Sequence, residues 1–129
     1  MEWNSVTVFF AGSKHALRAL LWARTIAQSA DIPIRVITHD QAGAARAAEK
    51  ALKNANLLEE LAPHWQVTDA PSFTSLLWEV PRESLVVAGA FGRSGVKAQL
   101  LGSRTEAILA HLPNPLFLVG PAAPGPSKS

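Results

Sequence analysis

The chain predicts an α/β fold: an open, five-stranded parallel sheet with helices on both faces. Short apolar segments alternate along the sequence with longer segments of helical periodicity. The apolar segments, such as 6–11 and 85–88, are nearly continuous, which is typical of strands that are buried on both faces. Strands joined by helices run parallel, because each crossover returns the chain to the same edge of the sheet.

Length and composition predict one domain. The chain has 129 residues, of which 48% are hydrophobic and 17% charged, enough to bury a compact core. We assign residues 1–120 to the α/β domain and the Pro-, Gly- and Ser-rich residues 121–129 to a disordered tail. The sequence shows no long apolar run and no signal-peptide pattern, so we expect a cytoplasmic protein without membrane insertion.

The first half of the chain supplies three strands and two helices. A β-branched and aromatic segment predicts a first strand over 6–11, and Ser13 is the expected N-cap of a helix over 14–30. A second strand is predicted over 32–38. Residues 41–61 form one long helix in this prediction, because Ala44, Ala48, Ala51, Leu52, Ala55 and Leu58 are spaced as a single apolar stripe. A third strand is predicted over 64–68.

The second half supplies two more strands and two more helices. A short helix is predicted over 71–80, with Pro71 near its first turn. The apolar run over 84–89 predicts a fourth strand. A helix over 103–112 and a strand over 116–119 complete the domain.

A glycine pattern after the fourth strand is the candidate binding site. Gly89-Ala90-Phe91-Gly92 is followed, after nine residues, by Gly102-Ser103 and a helical segment. Glycine lets the backbone adopt positive φ and approach an anion closely. A helix start adds free N–H groups and a partial positive charge. A buried strand, a glycine-spaced loop and a helix start together predict a phosphate-binding site.

These residues resemble the nucleotide loop of the universal stress protein family. The likeness continues from Ser103 through the last helix and strand to Val119, and 6–13 is similar to the family's opening strand and its Asp-Gly-Ser turn. The resemblance implies a Rossmann-like sheet of strand order 3-2-1-4-5. In that order the turn at 11–13 and the loop after Gly89 face each other where the winding reverses, the usual place for a ligand.

The resemblance implies an adenine nucleotide, ATP or a related one, with Mg²⁺ bridging its phosphates. No residue is assigned as catalytic or as a direct metal ligand. The candidate nucleotide contacts lie in the turn after the first strand, at the end of the second, and along the glycine loop. They are Ala11, Gly12, Ser13, Thr38, His39, Ala88, Gly89, Gly92, Arg93, Gly102, Ser103, Arg104 and Thr105.

Several of these residues have a second interpretation. Ser103 and Glu106 form a Ser-x-x-Glu capping box, which by itself explains a serine there. Arg93 is either a phosphate partner or a solvated loop charge. His39 is either a ligand contact or an ordinary polar strand end, and Asp40 either a ligand contact or an N-cap of the second helix.

Three positions and one connection depart from the family pattern. The connection after the second strand is short, because Asp40 leads straight into the helix where many members carry a longer insertion. Ala11 replaces the acidic residue that family members place near the ribose and base, and Asp40 stands where an apolar residue usually covers the adenine. Ser84 replaces the Asp that is common before the fourth strand. The phosphate half of the site therefore matches the family, while the nucleoside half does not.

Enzyme motifs are absent from the sequence. There is no Gly-x4-Gly-Lys-Ser/Thr loop and no Gly-x-Ser-x-Gly elbow, so we expect no catalysis. A net charge of +2 with scattered basic residues does not favour nucleic-acid binding. Two hypotheses follow: a nucleotide-binding regulatory protein, or an interaction domain with an impaired nucleotide pocket, such as one within a larger transport protein.

The last strand predicts self-association. Residues 116–119 are apolar and form the edge of the expected sheet, where unpaired strands attract partners. Pro113, Pro115 and Pro121 bracket the strand and limit open-ended extension. The resemblance implies that two last strands pair across a two-fold axis, so we expect a homodimer through residues 115–120.

Overall fold

A computed structural model describes residues 3–41, 43–89, 107–108, 110–119 and 126. Its five strands form one parallel sheet in the order β3-β2-β1-β4-β5, which confirms the predicted fold class and strand order. The strands are β1 (Ser5–Phe9), β2 (Ile34–His39), β3 (Trp65–Thr68), β4 (Ser84–Gly89) and β5 (Leu116–Val119). The helices are α1 (Lys14–Ala30), α2 (Ala44–Asn54), α3 (Leu58–Leu61) and α4 (Phe73–Leu77), with a 3₁₀ turn over Ala62–His64.

The central strands are buried on both faces, as their continuous apolar sequences predict. On one face, alternate residues such as Val6, Val8 and Val87 pack in one core with Leu20 of α1 and Leu52 of α2. On the other face, a smaller core contains Leu77, Val80, Val86, Ala88 and Ile108. Because both faces are covered, the strand ends are where the sheet meets solvent.

A hydroxyl cluster joins β1 to β4 inside the sheet. Ser5 Oγ donates to Ser84 Oγ at 2.9 Å, and the hydroxyls of Thr7 and Ser84 lie 2.7 Å apart. All three residues are buried. Since each buried hydroxyl has a partner, the cluster costs little to bury. Ser84, a departure from the family pattern, therefore has a structural role between the two strands that flank the candidate site.

Asn114 ties the turn before β5 to the turn before β4. Its side-chain amide donates towards the carbonyls of Pro81, Arg82 and Ser84 at 2.8, 3.2 and 2.9 Å. The residue sits between two prolines, which have no N–H of their own to make such bonds. This clamp holds the start of β5 beside the start of β4.

The predicted single helix over 41–61 is wrong, because the helix starts later and is broken once. α2 starts only at Ala44 and ends at Asn54, and Asn56 adopts a left-handed φ of 60°. Asn56 N–H bonds to Lys53 O and Leu57 N–H to Leu52 O, the two bonds of a Schellman ending. The apolar stripe continues across this break into α3, so spacing alone does not reveal it.

Other boundaries differ by a few residues. β1 ends at Phe9 rather than at residue 11, and β2 covers Ile34–His39 rather than 32–38. α1 ends at Ala30 because Asp31 turns left-handed, which delays β2. β3 begins at Trp65, since 62–64 form the 3₁₀ turn.

The predicted helix over 71–80 shrinks to Phe73–Leu77. Ser72 is its N-cap and forms a capping box with Ser75, so Pro71 precedes the helix. Beyond Leu77 the chain continues with tighter bonds, from Trp78 N–H to Ser75 O and from Val80 N–H to Leu77 O. Such i→i−3 bonds end an α-helix without a glycine.

Parts of two predictions lie outside the described residues. Of the helix predicted over 103–112, residues 107, 108, 110 and 111 are described and are helical. Leu112 is described but is not helical, while residues 103–106 and 109 and nearly all of the predicted tail over 121–129 fall outside. Within the described part of the chain, no helix is long and apolar enough to cross a membrane.

An ion pair connects α1 to α3. The guanidinium of Arg24 donates two bonds to the Glu60 carboxylate, at 2.6 and 2.8 Å. These bonds lower the pKa of Glu60 and raise that of Arg24. The contribution to stability is small, below about 1 kcal/mol, because both side chains are partly exposed to solvent.

The Glu60 pKa predicts a pH effect. A carboxyl whose pKa falls on folding stabilises the native state above its unfolded pKa and loses that contribution as the pH drops through the folded value. We expect Glu60→Gln to cost a few tenths of a kcal/mol at neutral pH and nothing at a pH below the folded pKa. Urea unfolding at several pH values checks this. An unchanged difference between the two proteins at all pH values would contradict it.

Candidate functional site

The turn after β1 is built around Gly12. Gly12 has φ +98°, and a Cβ there would lie 2.7 Å from the carbonyl oxygen of Ala47. Only glycine fits, because the backbone is both left-handed and pressed against α2. Ser13 then caps α1, its hydroxyl accepting from Ala16 N–H at 3.0 Å, as predicted. Ala11 is half-buried and brings no hydrogen-bonding side chain to this turn.

The end of β4 lies beside the start of α1. Ala88 is nearly buried in the smaller core, and Gly89 closes the strand. A Cβ at Gly89 would lie 3.8 Å from the carbonyl oxygen of His15, an ordinary contact distance. β1 and β4 are adjacent in the sheet, and the strand order runs in opposite directions from this pair. Gly89 therefore stands at the switch point, next to the first turn of α1.

The charge at the start of α1 suits an anion. The first turn contains no acidic residue, and Lys14 and His15 are its first two residues. The helix dipole places partial positive charge at this end and Lys14 adds a cation, so the start of α1 itself attracts a negatively charged group.

Thr38 is fully engaged within the protein. Its buried hydroxyl donates to the Phe10 carbonyl at 2.6 Å and accepts from Trp65 Nε1 at 2.8 Å. The hydroxyl has one proton, and that proton is used. Thr38, predicted as a nucleotide contact, joins β1, β2 and β3 through these bonds. The partner, Trp65, carried no sequence signal for this role.

This arrangement predicts a large cost for Thr38→Val. The substitution keeps the shape but leaves the Phe10 carbonyl and the Trp65 indole N–H without a partner. We expect the free energy of unfolding to fall by about 1–3 kcal/mol for the orphaned groups. Adding Trp65→Phe to the Thr38→Val protein removes the unpaired indole N–H and should recover part of the lost free energy of unfolding. Urea unfolding of the two single variants and the double variant checks this, and strict additivity would contradict it.

His39 is buried at the end of β2, with 2% of its surface exposed. Nε2 lies 2.9 Å from the carbonyl oxygen of Ala70, and the ring centroid is 6.3 Å from that of Phe73. Nδ1 is buried and has no hydrogen-bond partner among the described residues. The sequence placed His39 at the strand end, but it gave no sign of this unpaired nitrogen.

Asp40 is exposed and lies at the start of the connection to α2. Its backbone N–H bonds to Thr68 O at 2.8 Å, and its carboxylate accepts from Ala45 N–H at a long 3.4 Å. The N-cap of α2 is Gly43, not Asp40. The carboxylate therefore supports the helix start weakly and remains exposed to solvent at the same edge of the sheet as the candidate site.

The remaining predicted contacts lie outside the described residues. These are Gly92, Arg93, Gly102, Ser103, Arg104 and Thr105. The two interpretations of Arg93 and of Ser103 with Glu106 therefore remain as the sequence left them. Across the residues that are described, no group of three His, Asp or Glu side chains is placed to hold a metal ion.

A separate cavity of about 240 Å³ lies at the amino ends of the strands, near the start of β2 and at the opposite end of the sheet from the candidate site. Its lining combines the Arg24–Glu60 ion pair with Gln28, Asp31 and His64. Ligands of open α/β sheets bind at the carboxyl ends of the strands, so this cavity is not the predicted site.

Sequence comparison places the chain among known proteins. No protein-family model matches it. Two curated universal stress proteins, from the CDC 1551 and H37Rv strains of Mycobacterium tuberculosis, are 33% identical to it over 91% of its length. The chain belongs to the universal stress protein family. It spans about half the length of these relatives, 48% of each.

Solved structures of universal stress proteins share its fold. UspA from Lactobacillus plantarum superposes with a TM-score of 0.62 at 16% identity, covering 92% of this chain and 99% of that one. A universal stress protein from Archaeoglobus fulgidus gives 0.62 at 15% identity, covering 92% and 98%. A universal stress protein in complex with cAMP gives 0.58 at 23% identity, with the same coverage.

Proposed function

We propose that this universal stress protein binds ATP or a related adenine nucleotide and acts as a regulatory switch, not as an enzyme. The observation that carries the proposal is that two glycines lie at the ends of the adjacent strands β1 and β4, where the winding reverses. The left-handed turn at Gly12 follows β1, and Gly89 ends the adjacent β4 beside the first turn of α1. Phosphates would lie here, against the glycine loop that begins at Gly89, with Mg²⁺ bridging them.

Two further observations support an anionic nucleotide as the ligand. The first turn of α1 lacks acidic residues, so it does not repel a phosphate. A structural relative was solved in complex with cAMP, an adenine nucleotide. A cytoplasmic location stays part of this proposal, since ATP and Mg²⁺ are both plentiful there.

The second candidate function is an interaction domain with an impaired nucleotide pocket. Ala11 offers no acceptor, the Thr38 hydroxyl is already occupied, and the Asp40 carboxylate adds negative charge at the same edge. In this candidate the chain acts as an interaction unit, such as one within a larger transport protein.

Calorimetric titration separates the two candidates. The chain is titrated with ATP, ADP, AMP and cAMP, each with and without Mg²⁺. Nucleotide binding predicts saturable heat with ATP, a dissociation constant of about tens of micromolar, and no hydrolysis product afterwards. No saturable heat with any of the four nucleotides, from a chain that unfolds cooperatively on heating, would reject nucleotide binding in favour of the interaction domain.

We also propose a homodimer through residues 115–120. β5 is the last strand of the sheet, and Phe117 and Leu118 are 37% and 41% exposed. Phe117 packs its ring against Trp22 of α1, with centroids 5.8 Å apart, so the strand is held rigid and apolar at the edge. An unpaired edge of this kind is a template for a second strand.

A dimer through β5 should dissociate when a charged residue is introduced on that strand. We expect light scattering to give twice the monomer mass at tens of micromolar, on the order of usual dimer affinities. Leu118→Lys should shift the protein to monomer, because a buried lysine opposes edge pairing. Gln66→Lys on the other edge strand, β3, is the matched control and should leave the mass unchanged. A monomeric unaltered protein would contradict the proposal.

A further inference from the structure

The inference concerns the unpaired nitrogen of His39. The Ala70 carbonyl can only accept, so the ring proton lies on Nε2 and this nitrogen donates the bond. Nδ1 of the neutral ring is then an acceptor with a free lone pair. It is buried, and no described residue donates to it. Buried polar atoms without a partner are rare in native proteins and call for an explanation, such as a ligand.

The strand register places His39 next to the position that lacks an acceptor. β1 and β2 pair in parallel, with Val8 opposite Val36 and Phe9 opposite Ile37. Phe10 N–H bonds to Ile37 O, so the ladder continues past the end of β1. Extending this register by two residues puts Ala11 opposite His39. Of these two side chains only His39 offers an acceptor, its Nδ1, while the neighbouring Asp40 carboxylate is exposed and accepts from Ala45 N–H.

We propose that Nδ1 of His39 accepts a hydrogen bond from an uncharged N–H or O–H group of the nucleoside, and that it supplies the acceptor that Ala11 cannot. This inference rests on the proposed nucleotide function. Thr38, the other polar residue at the end of β2, is fully buried and already donates to Phe10 and accepts from Trp65, so only one buried lone pair of its hydroxyl remains.

The segment that covers the His39 ring lies at the protein surface, which is where a ligand approaches Nδ1. His39 is enclosed on one side by the connection from β3 to α4, which bonds to it through Ala70. Asp69, Pro71 and Ser72 of this connection are exposed, so it is a surface segment. We infer that a ligand reaches Nδ1 when this segment shifts, which also displaces the Nε2 bond to Ala70.

Two variants test the roles of the two ring nitrogens separately. His39→Gln keeps an amide N–H that can reach the Ala70 carbonyl but has no acceptor at the position of Nδ1. His39→Asn places an amide oxygen near the position of Nδ1 but is too short to reach Ala70. The two variants thus remove one function each. Thermal unfolding reports any loss of stability separately from binding.

The probes are ATP, deoxy-ATP and an ATP analogue that lacks the exocyclic amino group, titrated by calorimetry. In the unaltered protein, whichever analogue lacks the donor should bind about threefold to tenfold more weakly than ATP, as for one lost hydrogen bond. Comparing the two analogues shows whether the ribose hydroxyl or the base amino group donates the hydrogen bond. His39→Gln should abolish that difference by weakening ATP and the analogue that keeps the donor, and His39→Asn should retain most of it.

The outcomes are decisive. If the unaltered protein binds ATP but treats both analogues alike, or if His39→Gln keeps the discrimination, the inference is wrong and the proposed function stands. If the unaltered protein binds none of the three nucleotides, the proposed function fails and this inference fails with it. Equal weakening of all three ligands in both variants would show that His39 acts only through the fold, which also overturns the inference.

Discussion

Gly12→Ala is expected to lower the free energy of unfolding by about 2–4 kcal/mol, a large share of the stability of a small domain. Two costs combine. A φ of +98° is strained for any residue with a Cβ, and the new Cβ would lie 2.7 Å from the Ala47 carbonyl oxygen and 3.1 Å from Ala48 N. These atoms belong to the backbone of α2, so the clash is relieved only by moving a helix. Urea unfolding measures the loss.

Gly43 offers a matched control for that prediction. It is also left-handed, with φ +81°, but a Cβ there meets nothing within 4 Å. Gly43→Ala should therefore cost only the conformational strain, about 1 kcal/mol. Equal losses in the two variants would show that contact with α2 does not matter and would remove the packing argument for the turn after β1.

Gly92→Val is expected to abolish binding of ATP while leaving the domain folded. Gly92 is the second glycine of the predicted phosphate loop, where a Cβ would stand between the backbone and the anion. A β-branched side chain also disfavours the positive φ that such loops use. Calorimetry with ATP measures the effect, and thermal unfolding tests whether the fold is intact.

The control for Gly92→Val is the same substitution at Gly125, in the predicted tail. It should change neither binding nor the unfolding temperature. If the Gly92→Val protein binds ATP with unchanged affinity, the phosphates are held elsewhere and the glycine spacing does not identify the phosphate-binding loop.

The fold could be predicted largely from sequence because each strand is a compact apolar run. β4 and β5 have the predicted bounds, and α1 does as well, since Ser13 is a strong N-cap. The break between α2 and α3 could not be predicted from apolar spacing. It depends on Asn56 adopting a left-handed conformation, which asparagine tolerates but does not require.

The candidate site was predictable only where its chemistry is local. Gly12 and Ser13 occupy their expected roles, because a turn and a helix cap depend on neighbouring residues. Thr38 and His39 differ, since their partners Trp65 and Ala70 come from β3 and from the segment that follows it. No spacing rule connects residues that are about thirty positions apart and meet only through the strand order.

The most direct test of the central claim is to locate the ligand by amide chemical shifts. The isotope-labelled protein is titrated with ATP and, separately, with adenosine. If phosphates lie at the switch point, the amide resonances of Gly12, Ser13 and Gly89 shift with ATP and much less with adenosine. Shifts confined to the opposite edge of the sheet, at Asp31 and His64, or no shifts at all, would contradict the account.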